Sequence, residues 1–226
     1  MIVIMKRELT SPGEYYHIYN RGNDKKDIFF DDRDRARFLF LITHLQSPYS
    51  FRNVSRFVSS IVQSRTLHID VDVLKDILQN RYVELINFAL MPNHFHLLVC
   101  EKQDSGISRY MQKILTAYTK YINTKHEKNG HVLQGPYRIV HVGDNEQFLH
   151  LSAYIHRNPR DLRGWWNKEY DYPWSSYQDF IGTNRWGELL NTSSIHEQFE
   201  SKEEYRQFVE TSGTKERDIL EDILLD

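Results

Sequence analysis

The sequence predicts an α+β fold: a ferredoxin-like (split βαβ) antiparallel sheet with helices on one face. Three observations predict it. Apolar, β-branched runs of strand length recur at residues 15–20, 82–91, 94–100 and 131–142. Two stretches of helical period, beginning near residues 31 and 107, give the order strand, helix, strand, strand, helix, strand. Pro92-Asn93 splits the longest apolar run into two segments, both apolar enough to be central in a sheet. A helical insertion and an acidic helical C-terminal tail complete the prediction.

The first strand, Tyr15 to Asn20, is entered through Ser11-Pro12-Gly13 and left through the turn Asn20-Arg21-Gly22-Asn23. A helix capped by Asp31 or Asp32 follows, with Phe38, Leu41, Ile42 and Leu45 on one face, and Ser47-Pro48 stops it. Residues 47–81 form the insertion, with short amphipathic helices around 53–64 and 70–80. The two central strands come next. The segment Ile107 to Lys125 is a periodic helix whose buried stripe is Ile107, Met111, Ile114, Leu115, Tyr118 and Ile122. Residues 131–142 read as the last strand, bent at Gly135-Pro136. A further helix, capped by Gly143-Asp144-Asn145, runs from Glu146 to about Arg157 before Asn158-Pro159. After an aromatic loop at 165–177 the chain turns helical again from about Lys202.

Length and composition fit one domain with elaborations: 226 residues, 40% hydrophobic and 27% charged. We divide the chain into a main domain, 1–192, and an acidic extension, 193–226. No apolar run reaches the roughly 18 residues of a membrane span, and the apolar start is too short for a signal peptide. The single cysteine, Cys100, rules out an intrachain disulfide and reads as a small buried side chain in a cytoplasmic protein. Net charge is −2, yet residues 197–226 hold ten acidic and four basic side chains, so the rest carries +4. A basic body can bind a phosphate backbone where its charge gathers on one face.

Two constellations carry chemistry. His94 and His96 lie two apart on a strand, so both imidazoles share one face and can reach one divalent cation. Ordinary strand histidines would have the same spacing, but between apolar neighbours they are costly unless bonded or coordinated. On the later helix, Tyr154 and Asn158 stack at i and i+4, away from the stripe of Phe148, Leu151 and Ile155. That pair suits a nucleophile and a metal-completing oxygen; a packing tyrosine and a helix cap fit the spacing as well.

Met91-Pro92-Asn93-His94-Phe95-His96-Leu97-Leu98-Val99 resembles the HUH motif (His, bulky apolar, His) of single-tyrosine transposases, closest to their REP-associated (RAYT) branch. The resemblance runs from about Tyr15 to Tyr177. It includes Tyr16-His17-Ile18-Tyr19-Asn20-Arg21-Gly22, the segment Gly130 to Arg138, Tyr154-Ile155-His156-Arg157-Asn158-Pro159 and Tyr172-Pro173-Trp174-Ser175-Ser176-Tyr177. It implies that His94, His96 and Asn158 bind Mg²⁺ or Mn²⁺. It implies that Tyr154 attacks a DNA phosphate, giving a 5′-phosphotyrosine and a free 3′-OH that can later reverse the step. The implied substrate is single-stranded DNA bearing a hairpin, handled by a monomer or homodimer. His150 and His156 are candidates for proton handling, with a solvated helix histidine the plainer reading of each. Arg21, Arg138, Lys113, Lys120 and Tyr121 are candidates for DNA contact. Tyr118, on the buried stripe, reads as core. Two other readings stand beside this one: a non-catalytic nucleic-acid-binding module, and a hydrolase that uses water and leaves no covalent link.

Overall fold

The computed structural model describes residues 10–212. Four strands, β1 (Tyr15–Arg21), β2 (Val83–Met91), β3 (His94–Glu101) and β4 (Arg138–Val142), form one antiparallel sheet in the order β2-β3-β1-β4. Two helices, α1 (Asp32–His44) and α4 (Gly106–Lys125), make the crossovers. Chain order and sheet order together are those of the split βαβ pattern predicted from the sequence. The register sets Tyr19 opposite His96, and Arg21 opposite His94, at the end of the sheet where Pro92-Asn93 turns β2 into β3.

One face of the sheet is closed by α1 and α4. Ile18, Phe88, Phe95 and Leu97 point into this layer and meet Phe38, Ile42, Ile114 and Tyr118 in the larger core. Of the two caps predicted for α1, Asp31 takes the role and accepts the Asp34 N–H at 2.9 Å. The insertion forms α2 (Val54–Ser64), which packs on α1, and α3 (Val71–Gln79).

The opposite face also carries a core, which the sequence did not lead us to expect. The helix α5 (Asn145–Arg157) lies there, and Ile86, Ala89, Leu98 and Cys100 meet Leu151, Ala153 and Ile155. The short helices α6 (Tyr177–Ile181) and α7 (Ser193–His196) and the longer α8 (Lys202–Thr211) finish this layer, with Phe180, Ile195, Tyr205 and Val209 buried in it. The tail as far as Ser212 is thus folded onto α5; its remaining acidic residues lie outside the described ones.

The last strand is shorter than predicted. Residues 131–137 are irregular: Gly135 takes φ +69°, Pro136 has no N–H to give a ladder, and only Leu133 makes a bridge, to Gly22.

Two histidines belong to the cores. His156 bonds Ser176 Oγ at 2.9 Å and the Tyr205 hydroxyl at 2.7 Å. His44 bonds Thr43 and stacks on Phe40. Burial lowers each imidazole from 6.5 to about 3. As pH falls below 6.5 the unfolded chain takes up protons that the folded chain refuses, so stability is lost through that window. The slope is at most about 1.4 kcal/mol per pH unit for each histidine. Between pH 6.5 and 5.5 these two histidines together should cost about 2 kcal/mol in urea unfolding, and His156→Gln should reduce the total dependence by about 1 kcal/mol.

Candidate active site

At the end of the sheet where β3 begins, on the α5 face, lies a cavity of about 390 Å³. His94, His96, Tyr154, Asn158, Arg21 and Arg138 line it, along with Tyr19, Lys25 and Asp161. Strand alternation delivers both histidines to this face and sends Phe95 between them into the other core. α5 delivers Tyr154 and, at its C-terminal cap, Asn158. The Tyr154 ring stands perpendicular to that of His96, centroids 5.5 Å apart, and the two histidine rings are 5.1 Å apart.

A chain of hydrogen bonds fixes the polarity of the site. The Asn93 amide nitrogen donates to the Lys25 carbonyl at 3.0 Å, which turns its Oδ1 toward His94. His94 Nδ1 lies 2.6 Å from that oxygen and must donate to it, leaving Nε2 as a lone pair. Facing Nε2 at 3.4 Å is Asn158 Oδ1, because the Asn158 amide nitrogen donates to the Tyr154 carbonyl at 3.0 Å. Two acceptors therefore face each other. Burial pushes the His94 imidazole below its usual value, against the Asn158 contact, so it does not supply a proton between them at neutral pH. His96 is held well below the usual value by burial, then by the nearby His17 and His94. Neutral imidazoles are the form that binds a metal.

The sequence reasoning missed His17 and Tyr19. His17 Nε2 lies 2.9 Å from His96 Nδ1, with the rings stacked. When His96 Nδ1 donates in this bond, its Nε2 is the nitrogen left to a ligand. Tyr19 lines the cavity beside His96, and burial raises its phenol against the pull of Arg138. Both sit in the quoted Tyr16–Gly22 motif, two apart on a strand ending at the site. That spacing was the available signal.

Other candidates are not brought to the cavity. His156 is in the second core with both ring nitrogens bonded, and His150 packs its ring against Phe208 of α8. Lys113, Lys120 and Tyr121 ride on α4, across the sheet. Lys113 donates to the Ser47 carbonyl at 2.7 Å, Tyr121 to Asp34 at 2.9 Å, and Lys120 is exposed. Of the aromatic loop, Trp174 and Tyr177 are buried while Trp166 is exposed.

The donor set is two imidazoles and an amide oxygen. Among the described residues no group of three or more His, Cys, Asp or Glu side chains could hold a metal ion. A mixed nitrogen and oxygen set with facing lone pairs nevertheless suits a borderline-hard divalent cation.

Residues 58–158 match the family model of the IS200-like transposases, and this segment holds both histidines, Tyr154 and Asn158. The whole fold is similar to that of a REP-associated tyrosine transposase solved bound to a REP hairpin. Identity is 14% and the TM-score 0.53, over 81% of this chain and 88% of that one. No curated protein sequence matches significantly.

Proposed function

We propose that the protein is a metal-dependent transposase that nicks and rejoins single-stranded, hairpin-bearing DNA through a 5′-phosphotyrosine intermediate. The observation that carries this reading is the pair of facing acceptors, His94 Nε2 and Asn158 Oδ1, beside the ring of Tyr154. Like-polarity groups at 3.4 Å are stable together when a cation lies between them. His94, His96 and Asn158 would hold Mg²⁺ or Mn²⁺. A divalent ion bound there polarises the phosphate oxygens and stabilises charge on the leaving oxygen.

The chain's own residues do the rest. The Tyr154 oxygen bonds to phosphorus and gives up its proton, while the bond to the 3′ oxygen breaks and that oxygen takes a proton. The ester to tyrosine conserves the phosphodiester energy, so a 3′-OH can reverse the step without a nucleotide. Arg21 and Arg138, on the cavity wall, pair backbone phosphates and make binding weaken with salt. Arg21 is oriented by its bond to Gln134 at 2.6 Å. The working form is a monomer or a homodimer, and His94, His96, Tyr154 and Asn158 line one cavity of the same chain. We assign this chemistry to residues 1–192, working in the cytoplasm, with 193–226 as an extension whose helix α8 packs on α5. Among the described residues no helix is long and apolar enough to cross a membrane.

The test is a denaturing gel of the full chain with 5′- and 3′-labelled hairpin oligonucleotides. A covalent adduct carrying the 5′-phosphate side, formed with Mn²⁺ or Mg²⁺ and lost with a chelator, is expected. Hairpin binding without any adduct would favour a non-catalytic module, and cutting without an adduct a hydrolase. A further expected result concerns His17. His17→Ala should weaken Mn²⁺ binding about 10- to 100-fold by titration calorimetry, through loss of the bond that orients His96.

A further inference from the structure

We propose that a second cavity, built on Phe30, Lys26 and Lys128, is a stacking site for an unpaired base flanking the DNA hairpin. This rests on the reading above, that the catalytic cavity takes single-stranded DNA. The second cavity, about 450 Å³, is also lined by Asn23, Asn129 and His131.

Phe30 is 48% exposed, one of three large apolar side chains left to solvent among the described residues. It is also held in place. Its N–H donates to Asp34 Oδ2 at 3.0 Å, and Asp34 is itself buried and bonded to Lys125 and Tyr121. The ring is flanked by the imidazole of His126, centroids 4.5 Å apart, and by the ammonium of Lys128, 5.4 Å from its centre. A fixed aromatic ring with a cation beside it loses little entropy when a flat π-system stacks on it.

The catalytic cavity is on the α5 face and the second is at the C-terminal end of α4, lined there by Ile122 and Asn123, and the segment Gly22 to Lys26 links them round the end of the sheet. Lys25 lines the catalytic cavity and Lys26, the next residue, lines the second. Gly22 makes that tight step possible, since a Cβ there would come 1.9 Å from the Lys26 carbonyl oxygen. Their common wall is the pairing of Asn23 N–H with the Val132 carbonyl at 3.1 Å and the Gly22–Leu133 bridge. On this proposal a strand whose phosphate lies at Tyr154 passes round the end of the sheet at Lys25 and Lys26 to bring a base to Phe30. Charge favours such a strand: Arg21, Lys25, Lys26, Lys128 and Arg138 line the two cavities against Asp27 and Asp161. That excess stands in a chain whose net charge is −2. A DNA strand meets both needs, phosphates for the cations and a base for the ring.

The experiment measures binding of the full chain to labelled hairpins by fluorescence anisotropy. The hairpins carry a 5′ flank, a 3′ flank or none, and each flank nucleotide is replaced in turn by an abasic one. One abasic position is expected to weaken binding about tenfold. Phe30→Leu, which keeps an apolar side chain, should weaken binding of the flanked hairpin to the same extent. It should be insensitive to that abasic position and should leave the flankless hairpin unaffected. Phe30→Trp should restore the discrimination. Equal binding of all abasic hairpins, or equal loss of flanked and flankless hairpins in Phe30→Leu, overturns this proposal alone. A wild-type chain that binds no hairpin overturns the parent reading along with it.

Discussion

Tyr154→Phe should form no covalent adduct with hairpin DNA, a loss of at least about 1,000-fold, while binding the same DNA within about twofold of wild type. The substitution removes one oxygen. The ring keeps its perpendicular packing on His96, and the bond from the Asn158 amide goes to the Tyr154 backbone carbonyl, which the substitution leaves in place. Thermal stability should therefore barely move, so a lost adduct would report chemistry. Rival tyrosines are placed poorly for attack. Tyr118 is buried with its hydroxyl donating to the Ile28 carbonyl at 2.7 Å. Tyr121 is across the sheet, its phenol pushed up to about 12 by burial and by Asp34. Among the described residues Tyr19 is the other tyrosine that lines the cavity, so peptide mapping of any residual adduct should be read at Tyr19 first. An adduct of wild-type yield in Tyr154→Phe would remove Tyr154 from the nucleophile's role.

The halves of this site were legible because each rests on a local period. Two residues along a strand bring His94 and His96 to one face, and one helical turn aligns Tyr154 with Asn158. What joined the halves in the sequence was the family resemblance, since about 58 residues separate them and no local rule spans that distance. The same limit hid His17, which meets His96 only through the pairing of β1 with β3. It also hid the direction of α4, whose cations Lys113 and Lys120 were offered to DNA on charge alone. His156 was misread for a related reason. It follows Tyr154 by two residues, on another side of α5, and that side is covered by α6 and α8. Tyr205, Phe208 and Val209, at i, i+3 and i+4, were the sequence signal that the tail has an apolar face to bury.

Metal binding should be measurable without any reaction. Mn²⁺ at about 100 times its dissociation constant should stabilise the wild-type chain by about 2.7 kcal/mol, which for a domain of this size is a rise of several degrees in Tm. His94→Ala should abolish most of that rise and lower adduct formation about 100-fold or more, with partial recovery at higher Mn²⁺. His94 is the informative ligand to remove. Removing His96 instead would take a hydrogen bond from the buried His17 and lower stability on its own, by about 1–3 kcal/mol. Losing His94 leaves the half-buried Asn93 oxygen without that donor, and it relieves the opposition between Nε2 and Asn158 Oδ1. The metal-free His94→Ala chain should therefore be about as stable as the metal-free wild type, and the two should part only when the ion is added. If Mn²⁺ raised the Tm of both equally, the ion would be bound elsewhere. The facing acceptors would then need another explanation, and the nucleophile at Tyr154 would have to work without the centre assigned to it.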